Sequence, residues 1–227
     1  MPIPSRCRPV LSVRDLSAGI LSGIDLDIAA GEIVGVAGLL GSGRSTLLRA
    51  IFGALPRAAG SMAIDGRPLL ANGPAGAMAA GVAYVPANRL GEAVCTGNRP
   101  RDNGCAAVFS RYFQRRRTRR SADRTGQQKA ALDRWLCRGP RALLLDEPTH
   151  GAGAVARQEV YRLVREVAQR GAAVLVASSD FEALALLCHR ALVLRQGRIT
   201  AEVAGPDLDE ARLTALLAGA DHGEDAR

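Results

Sequence analysis

Nine consecutive residues, Gly38-Leu39-Leu40-Gly41-Ser42-Gly43-Arg44-Ser45-Thr46, have the types and spacing to hold a phosphate. They follow the pattern G-x-x-x-x-G-K-[ST], except that arginine stands at the lysine position. Gly38, Gly41 and Gly43 are expected to supply backbone angles closed to other residues. Successive N–H groups, with Ser42 in the same cradle, would then converge on an anion. Ser45 would carry a hydroxyl to Mg²⁺, with Thr46 second in line. Arg44 keeps a permanent charge and can pair with phosphate oxygens in a fork, but a flat guanidinium does not reproduce the point contact of an ammonium. Nucleotide binding with slow turnover is the expectation, against the plainer reading of an ordinary glycine turn.

A second constellation weighs against the plainer reading. Ala142-Leu143-Leu144-Leu145-Asp146-Glu147-Pro148-Thr149 reads as a buried apolar strand ending in two carboxylates. Parallel sheets present such residues at the carboxyl ends of their strands, where ligands bind. Asp146 is expected to hold the magnesium shell, and Glu147 to orient or deprotonate an attacking water. The alternative is a strand-end pair facing solvent.

The elements needed to position these groups are legible around them. Glu32 to Ala37 is a short apolar run suited to a buried parallel strand, and Leu47 to Phe52 continues as an amphipathic helix whose positive dipole end faces the loop. Upstream, Val10 to Val13 and Ile24 to Ile28 read as strands. Ser61 to Ile64 is a further strand, turned by Asp65-Gly66. Gly81 to Pro86 is another strand, and Gln127 to Leu136 a helix. A long helix follows, with Val160, Leu163, Val164 and Val167 on one face. Then come a strand at Ala172 to Ala177, a short helix at Phe181 to Cys188, a hairpin at Ala191 to Val203 turning at Gln196-Gly197, and a helix from Asp207 to Leu217.

At 227 residues and 48% hydrophobic, the chain can bury the core of one α/β domain, with a small lobe inserted at about 88–136. No apolar stretch reaches the length of a membrane span and the N-terminus lacks a signal-peptide core, so a cytoplasmic protein is expected. Cys7, Cys95, Cys105, Cys137 and Cys188 are scattered and lack C-x-x-C spacing, which favours reduced thiols over a disulfide framework or zinc site. The net charge of +8 rests on arginine, since Lys129 is the single lysine. Arg111, Arg115, Arg116, Arg117, Arg119, Arg120 and Arg124 gather around Phe109, Tyr112 and Phe113. A solvated helix face is the first reading of that cluster, a membrane-subunit or anionic-lipid contact the second, and nucleic acid the third. His150 and His189 read as loop and helix-surface residues, not as ligands.

These residues resemble the ATP-binding cassette subunits of bacterial importers, in particular the second cassette of the tandem proteins serving simple-sugar uptake of the ribose, galactose and xylose type. The resemblance spans nearly the whole chain. It rests on Ala30-Gly31-Glu32-Ile33, the phosphate loop, Phe52 to Arg57, Tyr84-Val85-Pro86 with Asn88-Arg89, Gln127-Gln128-Lys129, Ala131 to Leu136, Leu145 to Thr149 and Val176 to Ser179. Arg44, and Ser179 at the position of the usual switch histidine, are common in that second cassette.

Other positions depart from the family. The signature that normally precedes Gln-Gln-Lys and caps the partner's γ-phosphate is replaced by Asp123, Arg124, Thr125 and Gly126, after Ala122. Ala87 stands for an expected acidic residue, and Gly153 for an aspartate. The lobe that docks a membrane subunit is shortened.

The resemblance implies a P-loop nucleoside triphosphatase fold with a mostly parallel sheet, an antiparallel β subdomain and a truncated helical lobe. It implies ATP and Mg²⁺ as ligands, and as partners a second cassette, a transmembrane permease and, indirectly, a periplasmic sugar-binding protein, with the chain peripheral on the inner face of the membrane. Hydrolysis would be weak or partner-dependent. The alternatives are an inactive regulatory or structural relic and, less favoured, a nucleic-acid-associated ATPase.

Overall fold

A computed structural model gives the fold, described here for residues 8–70, 73–87 and 139–219. The expected helix at 127–136, the inserted lobe, the arginine cluster and the degenerate signature Asp123 to Gly126 lie outside the described residues, as do Cys7, Cys95, Cys105 and Cys137.

Two sheets divide the work. Strands β1 (Leu11–Ala18), β2 (Leu21–Ile28), β4 (Ala59–Ile64) and β5 (Arg67–Pro68) form an antiparallel sheet in the order β2-β1-β4-β5. The second sheet has the order β10-β9-β3-β8-β7-β6, from β3 (Ile33–Ala37), β6 (Val82–Val85), β7 (Ala142–Asp146), β8 (Ala173–Ser178), β9 (Arg190–Arg195) and β10 (Arg198–Ala204). Its pairings are parallel except β9 with β10. The helices are α1 (Arg44–Phe52), α2 (Gly73–Ala79), α3 (Ala154–Gln169), α4 (Phe181–Leu187) and α5 (Glu210–Ala218). This is the expected α/β arrangement of a mostly parallel sheet beside an antiparallel one.

The continuous apolar runs of β3, β7 and β8 follow from burial on both faces, because alternate side chains of a strand leave on opposite sides. Val34, Val36, Ala142, Leu144, Ala173 and Leu175 enter the core shared with α1 and the antiparallel sheet. Ile33, Ala37, Leu143, Leu145, Val174 and Val176 enter the core shared with α3, α4 and α5. On α3, Val160, Leu163, Val164 and Val167 are buried as the periodicity predicts, while Arg162 bridges Glu159 and Glu166 on the same helix.

Three details differ from the sequence reading. The last helix starts at Glu210, where the Asp209 carboxylate accepts the Arg212 N–H, and Gly205–Asp207 forms a separate 3₁₀ turn containing Pro206. That turn fits a proline, whereas the acid is best used as the cap of the following helix. Helix α2 carries no sequence signal, since its Gly-Pro-Ala-Gly-Ala-Met-Ala sequence has little periodicity and buries only Ala77. His189 is neither ligand nor free surface: its Nδ1 accepts the Ile33 N–H at 3.0 Å, joining β9 to the start of β3. Among the described residues, no helix is long and apolar enough to cross a membrane.

Candidate nucleotide site

Register decides where the chemistry gathers. Ala37 of β3 pairs with Ser178 of β8, and Ala177 pairs with Asp146 of β7, so three adjacent parallel strands end level with one another. The phosphate loop leaves the end of β3, the two carboxylates leave β7, and Ser178-Ser179 leave β8. Carboxyl ends of parallel strands thus converge as a ligand site requires.

Within the loop the glycines do different jobs. Gly41 and Gly43 have φ of 81° and 106°, the left-handed region expected of them. Gly38 does not have such a φ, which corrects the expectation. It is glycine because a Cβ there would collide with Ser42 Oγ and come within 2.6 Å of Leu194 O. Gly43 caps α1, and the first helical bond runs from Leu47 N–H to Gly43 O at 2.8 Å. The Arg44, Ser45 and Thr46 amides ahead of it lie outside the helical ladder, as at any helix start where an anion can bind. Gly197, in the β9–β10 turn, donates its N–H to Ser42 O at 2.9 Å and so braces the loop from the far edge of the sheet. The Gln196-Gly197 turn is marked in the sequence, but its contact with the loop is not.

Ser45 Oγ donates to Asp146 Oδ1 at 3.0 Å, and Tyr84 Oη approaches Asp146 Oδ2 at 3.4 Å. Thr46 turns its methyl toward Gly19 of the β1–β2 turn, 3.4 Å from where a Cβ would stand. Ser45, not Thr46, therefore faces the carboxylate. Burial pushes the Asp146 carboxyl above its ordinary range and the Glu147 charge adds to this, while the Ser45 hydroxyl opposes it. A hydroxyl beside one carboxylate is a donor set suited to Mg²⁺, which is held through one or two protein oxygens plus phosphate and water.

Glu147 is gripped from three sides. Its Oε1 lies 3.0 Å from Arg44 Nη1 and accepts the Ser179 N–H at 2.9 Å, while Oε2 accepts from Ser178 Oγ at 3.2 Å. Both charged side chains are secluded, Arg44 10% and Glu147 17% exposed. The Glu147 backbone has φ of 45°, costly for a residue with a side chain, and such strain concentrates at functional sites. Ser179, read as a degenerate switch position, contributes its backbone amide; the working hydroxyl is that of the fully buried Ser178. The sequence signal for Ser178 was its place beside Ser179 at the end of an apolar strand.

Among the described residues, two buried polar atoms have no hydrogen-bond partner, Ser42 Oγ and Arg44 Nη1. The Arg44 contact with Glu147 is thus a pairing of charges in which no Nη1–H is aimed at the carboxylate. Unspent buried donors are costly unless a ligand uses them; Ser42 Oγ packs against Gly38 within the loop, and Arg44 follows the loop as the first residue of α1. The Arg44 donor suits a phosphate group.

Ala87 is exposed at the end of β6, and Gly153 occupies the cap position of α3 with no side-chain bond to the helix. His150 is exposed.

Comparison with known proteins agrees with this geometry. The family model described as ABC transporter matches residues 21–150. A putative ribose/galactose/methyl galactoside import ATP-binding protein 3 from Agrobacterium fabrum is 35% identical, covering 95% of this chain and 49% of that protein. Ribose import ATP-binding protein RbsA 2 from Mesorhizobium japonicum is 36% identical, covering 90% of this chain and 45% of its own. The chain spans about half the length of these curated relatives. Among solved structures, the ATP binding subunit of an ABC transporter superposes with a TM-score of 0.70 at 22% identity, covering 92% of this chain and 99% of that one. A nucleotide-free ATP-binding cassette from an ABC transporter gives 0.70 at 17% identity, covering 92% and 95%. At these identities the two structures speak to the fold.

Proposed function

Because this chain belongs to the ABC transporter family, we propose that it is the ATP-binding part of a simple-sugar importer, binding Mg²⁺-ATP and hydrolysing it slowly or only beside a partner cassette. The observation that carries this reading is the convergence of Ser45, Asp146, Arg44 and Glu147 at the glycine loop, with a buried, unspent Arg44 donor. The names of its relatives support the sugar-import part.

In this reading Gly38, Gly41, Ser42 and Gly43 shape the cradle, and the amides at the start of α1 with Arg44 bind the phosphates. Ser45 and Asp146 hold Mg²⁺, which when bound offsets phosphate charge. Glu147, steadied by Ser178 Oγ and the Ser179 N–H, orients the attacking water and takes its proton. The whole chain is proposed as one cassette, with 88–136 as its inserted lobe. A second cassette, a transmembrane permease and, through it, a sugar-binding protein are the proposed partners, which would place the chain on the inner face of the membrane. Asp123, Arg124, Thr125 and Gly126 at the signature position would leave the partner's phosphate poorly capped.

A second reading, a cassette that binds nucleotide without turnover, is favoured by one contact: Arg44 neutralises the carboxylate that would act as base. Titration of the chain with ATP, with and without Mg²⁺, tests what both readings share. Binding at roughly micromolar or weaker affinity with a raised melting temperature is expected. Absence of heat and of any melting shift at millimolar ATP overturns them. A single-turnover ATPase assay of the chain mixed with a cassette bearing an intact signature then separates them, because Glu147→Gln lowers the rate of the hydrolysis step itself if Glu147 works as a base.

A further inference from the structure

We propose that Glu147 competes with the nucleotide's phosphates for Arg44, so that it sets the affinity of the site as well as serving its chemistry. The proposal rests on the reading of this site as a nucleotide site. Arg44 directly follows the loop glycines as the first residue of α1, and its Nη1 is 3.0 Å from Glu147 Oε1. While Nη1 stays beside the carboxylate only Nε and Nη2 can turn onto a phosphate, and one positive charge is shared between two anions, so the two acceptors draw on the same group.

The two sides of the contact differ in what they lose when it opens. Arg44 Nη1 makes no hydrogen bond in the contact, so it gives up charge proximity and gains aimed acceptors if phosphate arrives. Glu147 keeps the Ser179 N–H at 2.9 Å and the Ser178 hydroxyl at 3.2 Å. Ser178 is itself anchored, since its Oγ accepts the Asp180 N–H at 3.0 Å at the start of α4. The carboxylate therefore has a standing cradle of its own that does not depend on Arg44. Closing on phosphate therefore loosens the hold on Glu147, with Arg44 as the moving part and Ser178-Ser179 as the fixed part.

The test uses ADP, which binds without being hydrolysed, and calorimetry on the whole chain, with circular dichroism to verify folding. Glu147→Gln is expected to raise ADP affinity about tenfold, the scale of one charge-assisted contact. Glu147→Ala, which removes the side chain instead of neutralising it, should do the same. In an Arg44→Ala background the gain should vanish, because there is no longer a guanidinium to release. A gain of equal size in that background overturns the proposal, since it would then reflect simple repulsion between carboxylate and phosphate. Unchanged or weaker ADP binding by both Glu147 variants, with the parent chain binding normally, also overturns it and leaves the nucleotide-site reading intact. Binding by Glu147→Gln where the parent chain shows none supports it strongly. Failure of every variant and of the parent to bind ADP removes the nucleotide-site reading, and the competition with it.

Discussion

Ser45 Oγ stands 3.0 Å from Asp146 Oδ1, so the hydroxyl one residue into helix α1 meets a carboxylate brought from the end of another strand. Neither group alone is a metal site. With Ser45→Ala, the gain in ATP affinity that Mg²⁺ provides should shrink by about tenfold, while binding in excess chelator stays unchanged. Paired titrations with Mg²⁺ and with chelator read this directly. An equal loss in both conditions would show that the hydroxyl serves the loop's shape and not the metal.

Gly38 and Gly153 should respond oppositely to substitution. A Cβ at Gly38 meets Leu194 O at 2.6 Å, a backbone atom that cannot swing away, so Gly38→Ala should cost about 1–3 kcal/mol of stability. Gly153 caps α3 with φ −70° and ψ 166°, and a Cβ there has nothing within 4 Å. Gly153→Asp should therefore stabilise by about 0.3–1 kcal/mol, through a side-chain cap and the favourable end of the helix dipole. Urea unfolding of the two variants, compared at fixed slope, checks both signs.

The Arg141 side chain clasps Asp65, its Nε donating to Oδ2 at 2.6 Å, and that hydrogen bond holds the Asp65 carboxyl below its usual range. A depressed folded-state value means that the stabilisation is present above the unfolded carboxyl value, about 4, and is lost as pH falls through the folded one. Asp65→Asn, which keeps a residue tolerant of φ 50° in the Asp65-Gly66 turn, should melt slightly below the parent at pH 7. The difference should close as pH drops below about 4. Both side chains are more than a third exposed, so the effect at pH 7 should be under about 1 kcal/mol. A difference that persists unchanged at low pH would assign the loss to turn geometry.

Leu144 is fully buried at the centre of β7, between α1 and the antiparallel sheet. Leu144→Ala should cost about 2–5 kcal/mol, read by chemical denaturation. Because Leu144 lies two residues before Asp146, nucleotide affinity should fall with it if the strand end shifts.

Sequence alone determined the local pieces. The glycine loop between an apolar strand and an amphipathic helix, the Asp146-Glu147 pair at a strand's end and the 3.6-residue pattern of α3 are readable because each depends on neighbours in the chain. The same locality explains what was misread: Gly38 shows its reason for being glycine only when Leu194 is seen against it, and α2 has too little periodicity to announce itself. Tertiary structure decided the pairings. That Arg44 meets Glu147, that Ser178 holds that carboxylate in place of any side chain at Ser179, and that Gly197 braces Ser42 all follow from the order and register of β9, β3, β8 and β7. Strand order is fixed by which apolar faces pack together across the whole sheet, a property no short stretch of residues carries.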